Sequence, residues 1–157
     1  MLRADELFGI VAGLPLHPLV IHVSVILIPL VAIGGLVMSY LPSFSRRFGM
    51  AIFLLALVGQ GSLFLSKITG QALTNIMEKD MGRHADLGEI APFVTLPMTL
   101  LLYIRFRLDK SGTSFGTVLL RRLTSLALIV ASLASLVVIF LVGHSGASSV
   151  WGWIDKL

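Results

Sequence analysis

Four long stretches almost empty of charge constrain this chain more than any other feature. No Asp, Glu, Lys or Arg occurs from Leu19 to Leu41, from Phe48 to Ser66, from Ile90 to Ile104 or from Leu123 to Val142. A helix needs about 20 mostly apolar residues to cross the hydrocarbon core of a bilayer. The sequence therefore predicts membrane spans at about 18–41, 48–66, 84–104 and 123–142. Composition agrees: 13 % of the 157 residues are charged, against about 25 % in ordinary soluble domains. So few charges do not cover a water-facing surface. The expected fold is all-α and integral to the membrane, a single domain over 1–157 built as a four-transmembrane-helix up-down bundle.

Prolines and glycines punctuate these spans. Pro18 suits the first turn of a helix, where its missing N–H costs nothing, and Pro42 suits a stop. Pro29 and the pair Gly34–Gly35 lie inside the first span and predict a bend. The third span contains Pro92 and Pro97, which membrane helices tolerate when neighbours satisfy the freed carbonyls; Glu89 interrupts its start. Residues 1–16 carry Asp5 and Glu6 where a secretory leader has basic residues. They read as a retained, short interfacial segment. Ala127, Ala131 and Ser135 on the fourth span, and Ser62 and Ser66 on the second, recur every four residues, the spacing at which small side chains let membrane helices approach closely.

Four crossings put both termini and the loop between spans two and three on one side. That side carries five basic residues, Arg3, Lys67, Lys79, Arg83 and Lys156, with seven acidic ones. The opposite side carries seven basic residues, Arg46, Arg47, Arg105, Arg107, Lys110, Arg121 and Arg122, and a single acid, Asp109. Short cytoplasmic loops carry the Lys/Arg excess, so the loops at 42–47 and 105–122 are expected in the cytoplasm and both termini outside it. The expected location is the bacterial inner membrane. The net charge of +4 is explained by this clustering at span ends, and a nucleic-acid partner is not expected.

The chain has no cysteine, which excludes thiolate metal sites, cysteine-ligated Fe–S clusters and covalent c-type haem. It has four histidines, His17, His22, His84 and His144, all at span ends on the terminal side. Imidazole is a common ligand for metals and for haem iron. His17 and His22, five residues apart, point about 140° apart on one helix and do not clamp an ion alone. In an up-down bundle the first and third spans are diagonal, which lets His22 and His84 meet across the axis as axial ligands of a b-type haem. His17 and His144 are then alternative or second-site ligands, and Lys67 and Arg83 are candidates for pairing with propionates. The other reading is a zinc or copper site of His17, His22, His84 and His144 with Glu89 or Asp86. Met77 and Met81 lie nearby, as interfacial apolar contacts. Gln60, inside span two, is expected to hydrogen-bond a neighbouring helix, with a quinone or haem-edge contact as the alternative. Trp151 and Trp153 belong in the headgroup belt. No Gly-x-Ser-x-Gly elbow and no His-Glu-x-x-His helix is present, so a hydrolase is not expected.

The run from Gly13 to His22, with His17-Pro18-Leu19-Val20-Ile21-His22 at its end, resembles the HP-x-x-[VI]-H opening of a bacterial membrane-protein family, domain of unknown function 2231. Thr69-Gly70, His84 at the start of span three, and Gly143-His144-Ser145-Gly146 are also similar to it. The resemblance covers about residues 13–152. Val23-Ser24 stands where members often have Phe-Pro, and Ala147-Ser148-Ser149-Val150-Trp151 replaces a glycine-rich, tyrosine-containing end. The resemblance implies four spans and a histidine pattern; some members are joined to Rieske-type domains, which implies electron transfer. The expectation is a small membrane subunit binding haem b, or zinc or copper, and passing electrons within a larger complex, with quinone or a Rieske-type or cytochrome partner. The alternative is a structural or assembly subunit with no redox centre.

Overall fold

The computed structural model describes residues 10–11, 13–78, 81–111 and 115–154. A two-stranded antiparallel ribbon, β1 (Ile10–Val11) and β2 (Leu14–Pro15), pairs Ile10 with Pro15 and Val11 with Leu14. Gly13 supplies the positive φ, +80°, that its turn requires. The described part of the N-terminal segment is thus a ribbon, while 1–9 and 12 lie outside the described residues. Four helices follow: α1 (Leu16–Tyr40), α2 (Pro42–Met77), α3 (Arg83–Lys110) and α4 (Phe115–Trp151). All four are long and apolar enough to cross a membrane, consistent with a multi-pass membrane protein.

The helices outrun the charge-free stretches that predict them. Lys67 does not end α2, because its ammonium reaches Glu89 on α3 at 3.9 Å and its stem rides within α2, so the helix continues to Met77. At 1.5 Å per residue, the 36 residues of α2 extend about 54 Å, well beyond the ~30 Å hydrocarbon core. Pro42 sits at the first position of α2, where it starts the helix that follows α1 after Leu41 alone.

Contacts along the helices fix the topology. On α1 and α2, Ser24 donates to Ser62 at 2.8 Å, while a Cβ at Gly34 would lie 3.1 Å from Ile52. Deeper on one helix thus meets earlier on the other, which is antiparallel packing. The pairs Lys67–Glu89, Phe64–Phe93 and Phe53–Tyr103 show the same for α2 and α3. His84–Val142 and Arg105–Ser125 show it for α3 and α4. The result is the expected up-down bundle, with α1 and α3 diagonal. Its core is Ile28, Val31, Met38, Met98, Leu102 and Leu128, each at most 1 % exposed.

Glycine sets the spacing where α1 crosses α4. A Cβ at Gly35 would lie 2.8 Å from the Ser132 hydroxyl and 3.3 Å from both Leu102 and Leu128. Gly35→Ala is expected to cost about 1–3 kcal/mol through overpacking, read as a lower thermal midpoint in detergent. Gly61→Ala is the contrast: nothing lies within 4 Å of its Cβ position, and removing a helix-interior glycine is expected to stabilise by about 0.5–1 kcal/mol.

Two clusters pair buried polar groups inside the bundle. Gln60 donates to the Pro92 carbonyl at 2.7 Å and accepts from Thr95 at 2.9 Å, bonding α2 to α3. This is the interhelical bond expected of it. At the end away from the histidines, Asp109 is fully buried against Arg105, 3.0 Å away on the same helix, and Arg121 of α4 at 3.6 Å. Arg105 also donates to the Met38 carbonyl and the Ser125 hydroxyl. Arg121 donates to the carbonyls of Leu108 and Ser111, satisfying the open C-terminal end of α3. The sequence places these arginines as surface charges that orient the spans; two of them instead close a buried knot.

Candidate functional site

The functional candidates gather at the histidine end. α1 turns one stripe of residues inward: Ser24, Ile28, Val31, Gly35 and Met38, spaced four and three apart. His17 precedes Ser24 by seven residues, two helical turns, and so falls on this stripe. His22 stands about 160° away from it and is exposed. α3 repeats the pattern. Its buried residues Ala91, Thr95, Met98, Leu102, Arg105 and Asp109 keep the same spacing, and His84 lies seven residues before Ala91.

The structure thus brings together His17 and His84. Their ring centroids are 6.4 Å apart and their planes meet at 75°. His17 Nδ1–H donates to the Ser66 carbonyl of α2 at 2.9 Å, with the Thr69 hydroxyl at 3.3 Å. His84 Nδ1–H donates to the Val142 carbonyl of α4 at 3.1 Å, with the Ser145 hydroxyl at 3.3 Å. A carbonyl only accepts, so each Nδ1 carries the proton, and the neutral ring keeps its lone pair on Nε2. A hydrogen bond that fixes the tautomer from behind is the usual support of a metal-ligating histidine.

His22 and His144 are not part of this pair. His22 turns its Nδ1 back to the Pro18 carbonyl of its own helix. His144 is exposed and stacks on Phe140, one turn earlier on α4, with centroids 6.0 Å apart. The expected meeting of His22 with His84 across the axis is therefore corrected to His17 with His84. The rotation of α1, set by its small and apolar inward stripe, decides which histidine faces in. That stripe was legible, because Ser24 and Gly35 mark it, but depth in the span favours His22 when depth is considered alone. The expected four-imidazole cluster does not form either: among the described residues no group of three or more His, Cys, Asp or Glu side chains is placed to hold a metal.

A cavity of about 250 Å³ opens beside the two rings, between α2 and α3, and both histidines line it. Leu63, Met77, Met81 and Val142 give it apolar walls; Gln71, Asn75 and Asp86 line its polar part. Lys67 and Glu89 also line it. Glu89 accepts from Gln71 at 2.8 Å, and the Lys67 ammonium stands 5.2 Å over the Phe93 ring. Lys67 is the basic residue of this lining. Arg83, at the first position of α3, is exposed and outside this lining. Trp151 and Trp153 are exposed at the end of α4.

Comparison with known protein families, with curated proteins and with solved structures finds no match for this chain.

Proposed function

We propose that the chain is a small membrane electron-transfer subunit in which His17 and His84 are the paired imidazole ligands of a redox metal centre. The observation that carries the proposal is the pair itself: two imidazoles at the bundle axis, each held through Nδ1–H by a main-chain carbonyl, each left with its Nε2 lone pair. The 6.4 Å centroid separation supports it. The absence of cysteine excludes a thiolate donor for any such centre here.

The shared chemistry is a metal with two imidazole ligands, and two sources supply it: the iron of a b-type haem, or a single copper ion. A bare ion would be held by His17 and His84, which line one cavity. A haem needs the α2–α3 groove to widen, because about 250 Å³ falls below the ~300–1,000 Å³ usual for organic ligands. Lys67 would then face the propionates. When bound, the centre supplies one-electron chemistry. His17 and His84 hold its place, and the apolar walls limit water around it.

The charge asymmetry supports a bacterial inner-membrane location with the histidine end outward. The electron partners would be a quinone or a Rieske-type or cytochrome domain within a larger membrane complex. Absorption spectra of the purified protein, oxidised and reduced, together with elemental analysis, test the reading. A Soret band with reducible α-bands identifies haem; bound copper without them identifies the ion. A protein with neither stands as an assembly subunit, and the proposal fails. His22→Ala and His144→Ala are expected to leave the bound metal per chain unchanged in the same measurement, since both side chains point away from the pair.

A further inference from the structure

The two histidine environments match atom for atom although the surrounding sequences differ. His17 is the second residue of α1 and His84 the second of α3. Each gives its Nδ1–H to a main-chain carbonyl on the following helix, Ser66 or Val142. Three residues further on stands a hydroxyl, Thr69 or Ser145, at 3.3 Å from the ring nitrogen in both cases. Four residues on stands a glycine. A Cβ at Gly70 would lie 3.1 Å from His17 Cε1, and one at Gly146 would lie 2.9 Å from His84 Cε1.

The match extends through the bundle. The interval from His17 to His84 carries the buried residues of α1, Ser24, Ile28, Val31, Ala32, Gly35 and Met38, onto Ala91, Thr95, Met98, Thr99, Leu102 and Arg105 of α3, all buried. In the half of the second pair nearest the site, the interval from Ser66 to Val142 carries the buried Ala56, Gly59 and Leu63 of α2 onto the buried Ser132, Ser135 and Ile139 of α4, whereas the buried Ser45, Gly49, Gln60 and Ala72 fall on Arg121, Ser125, Leu136 and Ser148, which are half-buried or exposed. α1 and α3 run the same way and are diagonal. The operation that exchanges the hairpins α1–α2 and α3–α4 while keeping helix direction is a two-fold rotation about the bundle axis, the arrangement of parallel membrane repeats.

We infer that the two hairpins are an internal repeat whose two-fold axis passes between His17 and His84, so that the site takes a metal centre held by two equivalent imidazoles, with Gly70 and Gly146 as the matched positioning residues of its ligands. This rests on the metal reading above. The ligand class is a metal that takes two imidazoles, the iron of a tetrapyrrole or a single copper ion. Tetrahedral zinc takes four donors, and the axis supplies two. Each glycine lets its imidazole lie so close to the helix that a side chain there would push the ring aside, and so sets the ring's direction.

Nitrogen NMR of the full chain with isotope-labelled histidine, first without added metal, tests the repeat. Both His17 and His84 are expected as Nδ1–H tautomers with slowly exchanging protons. Gly70→Ala is expected to perturb the His17 ring signals alone and Gly146→Ala those of His84 alone. In the loaded protein each glycine variant is expected to lose about 10–100-fold in metal affinity, as for other partners behind a ligand, and by the same factor. An Nε2–H tautomer at either ring, or an effect confined to one glycine, overturns the inference. Two matched Nδ1–H rings in a protein that takes up neither haem nor copper overturn the metal reading alone and leave the repeat standing.

Discussion

Replacing either His17 or His84 with alanine is expected to abolish the metal centre while leaving the bundle folded. Each ring supplies one of two ligands, so its loss is expected to exceed the 10–100-fold that typically follows removal of a mere supporting partner. The structural cost is small by comparison. The carbonyls of Ser66 and Val142, which accept the Nδ1 protons, belong to helical turns and lose one additional bond each, about 1 kcal/mol. Metal content and the visible spectrum should therefore collapse in both variants with little change in thermal midpoint. Equal losses are expected because the two rings occupy equivalent places. Retention of the full centre in either variant removes that histidine from the ligand set.

Asp109→Ala is expected to show the opposite pattern: a large loss of stability, on the order of 3–5 kcal/mol. Asp109 is fully buried between Arg105, whose side chain is 4 % exposed, and Arg121. Removing the carboxylate leaves the Arg105 guanidinium enclosed with only neutral partners, the Met38 and Arg121 carbonyls and Ser125, and beside a second cation. Truncating one member of a buried ion pair is costly for that reason, even where the intact pair contributes little net stability. Thermal unfolding in detergent checks the size. Arg122→Ala, at an exposed neighbouring position, is expected to fall within about 0.5 kcal/mol of the parent. A comparable loss in both variants would show that the effect does not come from the buried knot.

Much of the architecture is legible in the residues, and the reason is length. Charge-free runs of span length between short polar connections admit few arrangements, and counting crossings places His17, His22, His84 and His144 at one end. Helix ends are less legible. Charged residues such as Lys67, Arg83 and Arg107 sit within helices that project beyond the apolar stretches, so hydropathy underestimates α2 and α4 by a turn or more at each end. The choice of His17 over His22 depends on the rotation of α1, which Ser24 and Gly35 signal only when read as one stripe. Asp109 continues the corresponding stripe of α3 from His84 through Ala91, Thr95, Met98, Leu102 and Arg105; its burial follows from that register, whereas a search for charges at span ends places it on the surface. The matched cradles are hidden for a further reason. Their central acceptor is a main-chain carbonyl, so Ser66 and Val142 serve alike although their side chains share nothing, and exchanges such as Ala56 for Ser132 keep the packing while erasing the likeness.

Nitrogen hyperfine spectroscopy of the oxidised, metal-loaded chain carrying isotope-labelled histidine reads the ligands of the centre directly. Two coupled imidazole nitrogens are expected in the parent protein, unchanged in His22→Ala and His144→Ala, with loss of this two-nitrogen signal in both His17→Ala and His84→Ala. A loaded centre without histidine coupling, or one whose two couplings survive removal of His17 or His84, would contradict it.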